Sequence, residues 1–351
     1  MRIIQAIATL ILMVSCSVGQ KSGIDSDFGT VVNLDDGEIM AIPDFIERMD
    51  VRGNQIVLKI SNKQQQACLM DIPGNSKHYF LAYGRGPGET TNLLDISFRD
   101  SHTIQASVDP ESVMLFDIDS LINGKKVPED VYRLAEGRYA FPNIVTFSNQ
   151  VLYCGKNLEE SENTTNYCIE DRESGSVQGF GSYPDDEITK RIPSGDYSLQ
   201  TAYQAKIKTS PDNKYAVAYY FYMLGFDILD TINASVLSSC VYSPLGVKVT
   251  FNEEINANLV SRNMKALRGF LDAAVTERYI YLLASLKCFE DEDYTHGQEV
   301  YRYLWDGTPN RHFHVEYPTS SIGVSDDDRF LYTIKNERDH DSLVKFEIDN
   351  T

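Results

Sequence analysis

One block of the sequence, residues 269–318, constrains the fold more than any other feature, because it contains four short β-type runs separated by turn residues. The runs cover residues 270–275, 279–286, 300–305 and 312–317. They are rich in tyrosine and aliphatic residues, and the third run ends at Asp306-Gly307, a strong tight-turn signal. The block therefore predicts a four-stranded antiparallel sheet with apolar side chains on both faces.

Similar blocks recur along the chain and give six units. The sixth unit has three runs, at residues 322–325, 329–335 and 343–348, and we expect residues 29–34 to supply its fourth strand. Because each small twisted sheet has two apolar faces, it needs a like neighbour on each side, and a closed ring satisfies every unit. The sequence predicts an all-β fold: one six-bladed β-propeller domain of four-stranded antiparallel blades at residues 29–351, closed by an N-terminal strand.

One segment between the fourth and fifth units has a different pattern. Apolar residues recur at roughly helical spacing within residues 251–268, and Gly269 follows as a stop signal. We expect a loop or a short helix here, packed on one end of the ring.

The N-terminus has the layout of a signal peptide at residues 1–15, because a positively charged start precedes an apolar run too short for a stable membrane span. Ser15-Cys16 resembles the lipobox of bacterial lipoproteins, although Met13 stands where such motifs prefer leucine. The resemblance implies a lipid on Cys16 that anchors the chain to a membrane of the cell envelope, the outer membrane, on its periplasmic or surface face. The alternative is an ordinary secretory signal with an incidental cysteine. Residues 16–28 are small and polar and predict a flexible tether.

Charge narrows the range of partners. The chain has 51 acidic and 32 basic side chains, a net charge of −19 at neutral pH. Such a surface repels phosphate backbones at long range, so we expect no nucleic-acid partner.

Three ordered segments carry a family resemblance. They are YGRGPGE at residues 83–89, SPDNKYAVAYY at residues 210–220, and AVTERYIY at residues 274–281, the last followed by WDG at residues 305–307. Together they resemble a family of six-bladed, TolB-like propeller lipoproteins of Bacteroidetes, although Asn213 replaces the usual glycine and Thr90 the usual aromatic residue. The resemblance implies the propeller fold and a lipoprotein address. It implies no catalytic residue, because most members lack a known activity.

The glycine-rich loop of the first segment has two interpretations. Three glycines surround Arg85 and could form an anion-binding loop, but the spacing and terminal Lys-Ser/Thr of a phosphate loop are absent. The alternative is a turn that passes the chain from one blade to the next.

The cysteines after Cys16 are isolated within strand-like runs, without the CxxC spacing of zinc clusters. Cys154 and Cys168 flank a hairpin and could form a disulfide across two strands of one blade, which an exported protein permits. The alternative is that both are buried free thiols.

Neither a catalytic residue nor a cofactor is predicted, because GxSxG, HExxH, P-loop and GxGxxG motifs are absent. His312 and His314 alternate on one strand, so they point to the same side and could contact a ligand or a metal; surface positions are the alternative. Acidic runs at residues 185–187, 290–293 and 326–328 could bind Ca²⁺. They lack the glycine-centred pattern of a calcium loop, which favours solvated turns.

Two functions remain. The first is a noncatalytic binding or scaffold module, anchored at the envelope, that presents loops to a protein, peptide or glycan. The second is a metal-dependent hydrolase or lyase with its site at the mouth of the central channel. Convergence of Asp, Glu, Asn or His side chains from four or more blades on one point in the channel, or a metal bound there, would favour the enzyme, and an apolar or plugged channel would favour the binding module.

The lipobox resemblance predicts that the mature chain begins at an acylated Cys16. Mass spectrometry of the N-terminal peptide of the mature protein measures this directly. An unmodified Cys16 in that peptide would contradict the lipoprotein assignment.

Overall fold

The computed structural model describes residues 23–42, 44–62, 64–72, 76–136, 138–157, 165–193 and 196–348. The predicted signal peptide and Cys16 lie outside these residues. Within them, the strands form six small antiparallel sheets arranged as the blades of a propeller, which confirms the predicted fold class.

The strands follow one another in chain order. Two N-terminal strands come first: β1 (Val31–Leu34) and β2 (Glu38–Ile42). Blade one contains β3 (Phe45–Arg52), β4 (Gln55–Ser61), β5 (Gln65–Asp71), β6 (Lys77–Tyr83) and the short β7 (Glu89–Thr90). Blade two contains β8 (Asp95–Phe98), β9 (Thr103–Asp109), β10 (Ser112–Asp117) and β11 (Asp130–Arg133). Blade three contains β12 (Arg138–Phe147), β13 (Gln150–Asn157), β14 (Tyr167–Asp171) and β15 (Val177–Phe180).

The second half repeats this order. Blade four contains β16 (Ala205–Thr209), β17 (Tyr215–Tyr220), β18 (Gly225–Asp230) and β19 (Ser235–Val241). A separate hairpin follows, made of β20 (Val247–Asn252) and β21 (Ala257–Arg262). Blade five contains β22 (Asp272–Val275), β23 (Tyr279–Ala284), β24 (Gly297–Leu304) and β25 (Pro309–Thr319). Blade six contains β26 (Ile322–Val324), β27 (Phe330–Asn336) and β28 (Asp341–Glu347). The inner strands are β3, β8, β12, β16, β22 and β26.

The helices are short. They are a 3-10 turn (Gly23–Asp27), α1 (Ile118–Ile122), α2 (Glu187–Arg191) and α3 (Tyr197–Ala202). Asp117, Asp186 and Asp196 cap the N-termini of the three α-helices, each accepting a backbone N–H. No helix in the described part of the chain is both long and apolar enough to cross a membrane.

Apolar side chains on alternating sides of the strands form the core. On β17, Val217 and Tyr219 pack towards blade five, whereas Ala216, Ala218 and Tyr220 pack towards blade three. This is the two-residue period of a strand that is buried on both faces. Among the described residues, six such hydrophobic clusters fill the six interfaces between adjacent blades.

The ring is closed by β2, so the prediction that residues 29–34 would close it is wrong. β2 pairs antiparallel with β28 and becomes the outer strand of blade six. β1 instead pairs in parallel with β25, as a fifth strand at the outer edge of blade five. The difference arises because the apolar run at residues 39–51 is two strands, β2 and β3, and the first reaches the last blade.

The end of the predicted tether is docked on the propeller. Ile24 is fully buried, and the ring of Phe28 lies 5.1 Å from that of Tyr301. The Tyr301 hydroxyl donates a hydrogen bond of 2.6 Å to Asp25. Residues 23–28 therefore belong to the folded body, whereas residues 16–22 of the predicted tether lie outside the described residues.

The segment at residues 251–268 is mainly a β-hairpin, so the predicted loop or short helix is wrong over β20 and β21. Six residue pairs join the two strands in an antiparallel register that runs from Val247–Arg262 to Asn252–Ala257. Phe251, Ile255 and Leu259 follow a helical spacing in the sequence, yet all three are exposed. Their spacing does not mark a buried helical face.

Of the two possibilities for Cys154 and Cys168, a disulfide or two buried free thiols, the structure has the free thiols. Cys154 pairs with Tyr167, and Cys168 pairs with Tyr153, so the two cysteines are one register position apart. Side chains of neighbouring register positions face opposite sides of a sheet. Cys154 accordingly packs between blades three and four, and Cys168 between blades two and three.

Truncating Ile42 on the closing strand tests the seam. Ile42 is 1% exposed, so Ile42→Ala should lower the free energy of unfolding by about 2–4 kcal/mol through lost burial and a cavity. On the same strand Ile39 is 57% exposed, so Ile39→Ala should change it by less than about 0.5 kcal/mol. Urea unfolding measures both, and equal effects would show that stability does not depend on this seam.

Candidate functional site

The two ends of the ring carry different loops. Each inner strand turns directly into the second strand of its blade at one end, which we call the turn end. The connections between blades, and those between second and third strands, lie at the other end, which we call the connector end. Inner strands begin at the connector end, so the residues at their starts lie near that mouth of the channel.

Charged side chains of the inner strands line the channel. Arg48 on β3 and Asp272 on β22 form an ion pair, with 3.0 Å between Nη1 and Oδ1. The second carboxylate oxygen of Asp272 accepts hydrogen bonds from the Ser321 hydroxyl and from the backbone N–H of Ile322 at 3.1 Å. This group links blades one, five and six.

Two lysines of β16 complete the network. Lys206 Nζ lies 3.0 Å from Asp95 Oδ1 of blade two, and Lys208 Nζ lies 2.8 Å from Asp50 Oδ1 of blade one. The Asn143 amide of blade three donates to Asp95 Oδ2 at 3.2 Å. Polar contacts in the channel therefore join all six blades.

Burial and the nearby Arg48 lower the pKa of Lys206 to about 8. Burial alone would raise the pKa of Asp95, but Lys206 and Arg48 outweigh it and hold that pKa below its usual value. Lys206 therefore loses its proton at a much lower pH than an exposed lysine.

The channel meets one criterion for an enzyme site, because Asp50, Asp95, Asn143 and Asp272 come from four blades. Each of the three carboxylates is paired with a lysine or arginine, however, so all three are engaged in ion pairs. Among the described residues, no group of three or more His, Cys, Asp and Glu side chains is placed to hold a metal ion, Ca²⁺ included. The geometry supports a structural role for these charges, which hold the inner strands in register.

A cavity of about 430 Å³ opens at the connector end, between blades three and four. This volume is in the range of small-molecule sites. We call it the connector cavity, and its lining residues are Tyr139, Cys154, Gly155, Tyr197, Gln200, Thr201, Gln204, Phe221, Tyr222 and Arg262. Tyr139 is 39% exposed and Tyr197 57%, so their rings are accessible to a ligand.

Helix α3 and the β20–β21 hairpin build one wall of the connector cavity. Asp196 caps α3 and also accepts a hydrogen bond of 2.7 Å from the Asn258 amide of the hairpin. The Ser198 hydroxyl donates to the Asn258 carbonyl at 2.8 Å. These contacts fix the helix that carries Tyr197 and Gln200 against the strand that ends at Arg262.

Two arginines share an aromatic ring in the cavity wall. The guanidinium carbon of Arg268 lies 3.4 Å from the ring centroid of Phe221, and that of Arg262 lies 5.8 Å from the same centroid. Arg262 also receives support from the Tyr294 hydroxyl, 3.0 Å from its Nη1. Arg268 is only 5% exposed, and its burial together with Arg48 lowers its pKa to about 9.

A second cavity, of about 560 Å³, lies at the turn end between blades six and one. Its charged side chains are engaged with one another or with the backbone. Asp326 accepts the backbone N–H of Gly53 at 2.9 Å, Asp327 accepts the Ser325 hydroxyl at 2.6 Å, and Lys345 lies 3.6 Å from Glu38. The connector cavity is therefore the better candidate for a ligand site.

The loop around Arg85 lies at the connector end but is occupied by its own glutamate. Glu89 accepts the backbone N–H of Gly86 at 2.8 Å, and Glu89 itself pairs with Ala82 as part of β7. The Arg85 side chain is exposed. The contacts favour a turn between blades over an anion-binding loop.

His312 and His314 point to the same side of β25, where both contact Glu299. His312 Nε2 lies 2.7 Å from one carboxylate oxygen of Glu299, and His314 Nδ1 lies 2.8 Å from the other. His312 is buried and stacks on Tyr301, with 4.4 Å between the ring centroids. Neither histidine lines the connector cavity.

The residues of the connector cavity and of the channel were not predicted from the sequence. Charged residues two positions apart on an inner strand, as in Arg48 with Asp50 and Lys206 with Lys208, were a usable signal, because both then face the channel. The cavity residues come from segments separated by up to 123 positions, from Tyr139 to Arg262. No local pattern joins them.

The chain is similar to one protein family and to several solved structures. The model of a family described as "TolB-like 6-blade propeller-like" matches residues 40–327. A crystal structure of a DUF4221 family member from Bacteroides vulgatus is 10% identical, with a TM-score of 0.51, and the match covers 90% of this chain and 99% of that one. The WD40 domain of Pan2 from Neurospora crassa is 11% identical, with a TM-score of 0.47 and coverage of 92% and 96%. No curated protein matches the chain.

The lowered pKa of Lys206 predicts that this side chain contributes more to stability as pH rises. Between about pH 8, where Lys206 titrates in the folded chain, and about pH 10.4, where lysine titrates when unfolded, the unfolded state binds more protons. The contribution of Lys206 to the free energy of unfolding should therefore rise by about 2 kcal/mol from about pH 7 to pH 9.5. Burial raises the pKa of the Cys68 and Cys154 thiols, which opposes this rise, so the gain is the difference between the wild-type chain and a Lys206 variant. Urea unfolding at the two pH values measures this gain.

The matched variants are Lys206→Met, which should lose the gain, and Lys190→Met, which should keep it. Lys190 forms only an exposed ion pair, with its side chain 57% accessible. An equal gain in Lys206→Met would show that another group causes the pH dependence.

Proposed function

Since the chain belongs to the TolB-like six-bladed propeller family, we propose that it is a noncatalytic binding module of the cell envelope, held by a lipid on Cys16. In this proposal the connector cavity receives a protein, peptide or glycan ligand. The observation that carries it is a cavity of about 430 Å³ with exposed tyrosine rings and side-chain amides in its wall. Aromatic faces with a few polar groups are the usual lining of a ligand site.

The residues around the cavity and in the channel support ligand binding rather than catalysis. The channel carboxylates are already paired with Lys206, Lys208 and Arg48. The cavity wall offers rings, amides and a guanidinium, which bind and orient a ligand. The lipobox resemblance and the family's lipoprotein address support the anchor.

Binding by the full mature chain to arrays of envelope glycans and peptides tests the proposal. Tyr197→Ala should weaken binding of the selected ligand at least about tenfold, because it removes an exposed ring from the cavity wall. Tyr83→Ala is the matched control, since Tyr83 is also exposed but lies on β6 of blade one. Isothermal titration of each variant gives the dissociation constants.

Two outcomes would contradict the proposal. If Tyr197→Ala and Tyr83→Ala bind equally well, the connector cavity is not the site. If the ligand is recovered cleaved after incubation with the wild-type chain, and a chelator stops the cleavage, the metal-dependent hydrolase or lyase is the correct function.

A further inference from the structure

Arg268 is a buried cation without an acidic partner. It is 5% exposed, and within the described residues no carboxylate oxygen lies within 4.0 Å of its guanidinium. One Nη donates to the Phe221 carbonyl, and its buried Nε has no hydrogen-bond partner in the described structure. Leaving a buried charge unpaired destabilises a protein, so such a group calls for an explanation.

Arg262 has the same lack of an acidic partner at the mouth of the connector cavity. Its guanidinium contacts Tyr294, Phe221 and Phe289 but forms no ion pair within the described chain. Acidic residues outnumber basic ones by 51 to 32 in this protein, so a lack of carboxylates does not explain why these two arginines have no ion pair. Two unpaired arginines on one aromatic ring therefore form a positive site on an otherwise acidic molecule.

Resting on the proposed function, we infer that the ligand of the connector cavity is an acidic sugar, whose carboxylate binds Arg262, while the charge of Arg268, stacked on the same Phe221 ring, adds to the positive potential there. A guanidinium presents a planar fork that matches a carboxylate, and the Arg262 guanidinium in the cavity wall has no acidic partner within the described residues to occupy it. The exposed rings of Tyr139 and Tyr197 suit the flat faces of a sugar ring. The amides of Gln200 and Gln204 suit its hydroxyl groups.

Titration of the full mature chain with glucuronate and with its methyl ester tests this inference. The two probes share one ring and differ in the charge of the carboxyl group. Glucuronate should bind at least about tenfold more tightly, and Arg262→Gln and Arg268→Gln should each reduce that preference to less than about threefold. Arg329→Gln, an exposed arginine of blade six, removes the same charge elsewhere and should leave the preference unchanged.

Thermal unfolding separates recognition from a merely structural role. If Arg268 serves the ligand, Arg268→Gln should unfold at the same or a higher temperature while losing the preference for glucuronate. A lower unfolding temperature with an intact preference would overturn the role of Arg268. Because Arg262 is exposed, Arg262→Gln tests the site even where the buried variant fails to fold.

The remaining outcomes are also decisive. Equal binding of the ester and the acid, or no binding of glucuronate, would overturn the inference. If glucose 6-phosphate, or a short peptide through its terminal carboxylate, binds more tightly than glucuronate, the ligand is a phosphorylated sugar or a peptide and not an acidic sugar. A neutral glycan that depends on Tyr197 would leave the binding module in place and remove only the anionic ligand.

Discussion

Each blade is apolar on both faces, and the rest of the structure depends on this constraint. On β23, Tyr281 and Leu283 pack towards blade six, whereas Ile280 and Leu282 pack towards blade four. A sheet of this kind cannot remain soluble with either face uncovered, so six sheets must close into a ring. The closing strand, the docked N-terminal turn and the placement of loops at two ends all follow from that closure.

Ion pairs, rather than apolar contacts, join the inner strands around the channel. Moving ions out of water is costly, so buried ion pairs such as Arg48–Asp272 add little net stability compared with apolar residues of similar size. They do specify which strands meet, because a wrongly placed inner strand would leave a buried charge unpaired. Arg268 departs from this rule, since the same channel mouth that pairs Arg48 leaves Arg268 without an acid. That contrast is the basis of the anionic ligand that we propose at the connector end.

The sequence was most informative where one strand carries its own pattern. Blade five was predictable because its tyrosine-rich runs and the Asp306-Gly307 turn are local signals, and the observed strands lie within a few residues of the predicted ones. The hairpin was not predictable, because exposed residues such as Phe251 and Ile255 fall at helical spacing by coincidence. The connector cavity was out of reach for another reason: Tyr139, Tyr197 and Arg262 meet only after three separate connections fold onto one end of the ring.

The two N-terminal strands pair with different, neighbouring blades. β1 lies on blade five and β2 on blade six, so a single stretch of chain fastens both. Tension applied to the N-terminus would reach the docked turn and β1 before it reaches β2. β1 can then detach from the outer edge of blade five first. The pairing of β2 with β28, which closes the ring, would bear no force until β1 has detached.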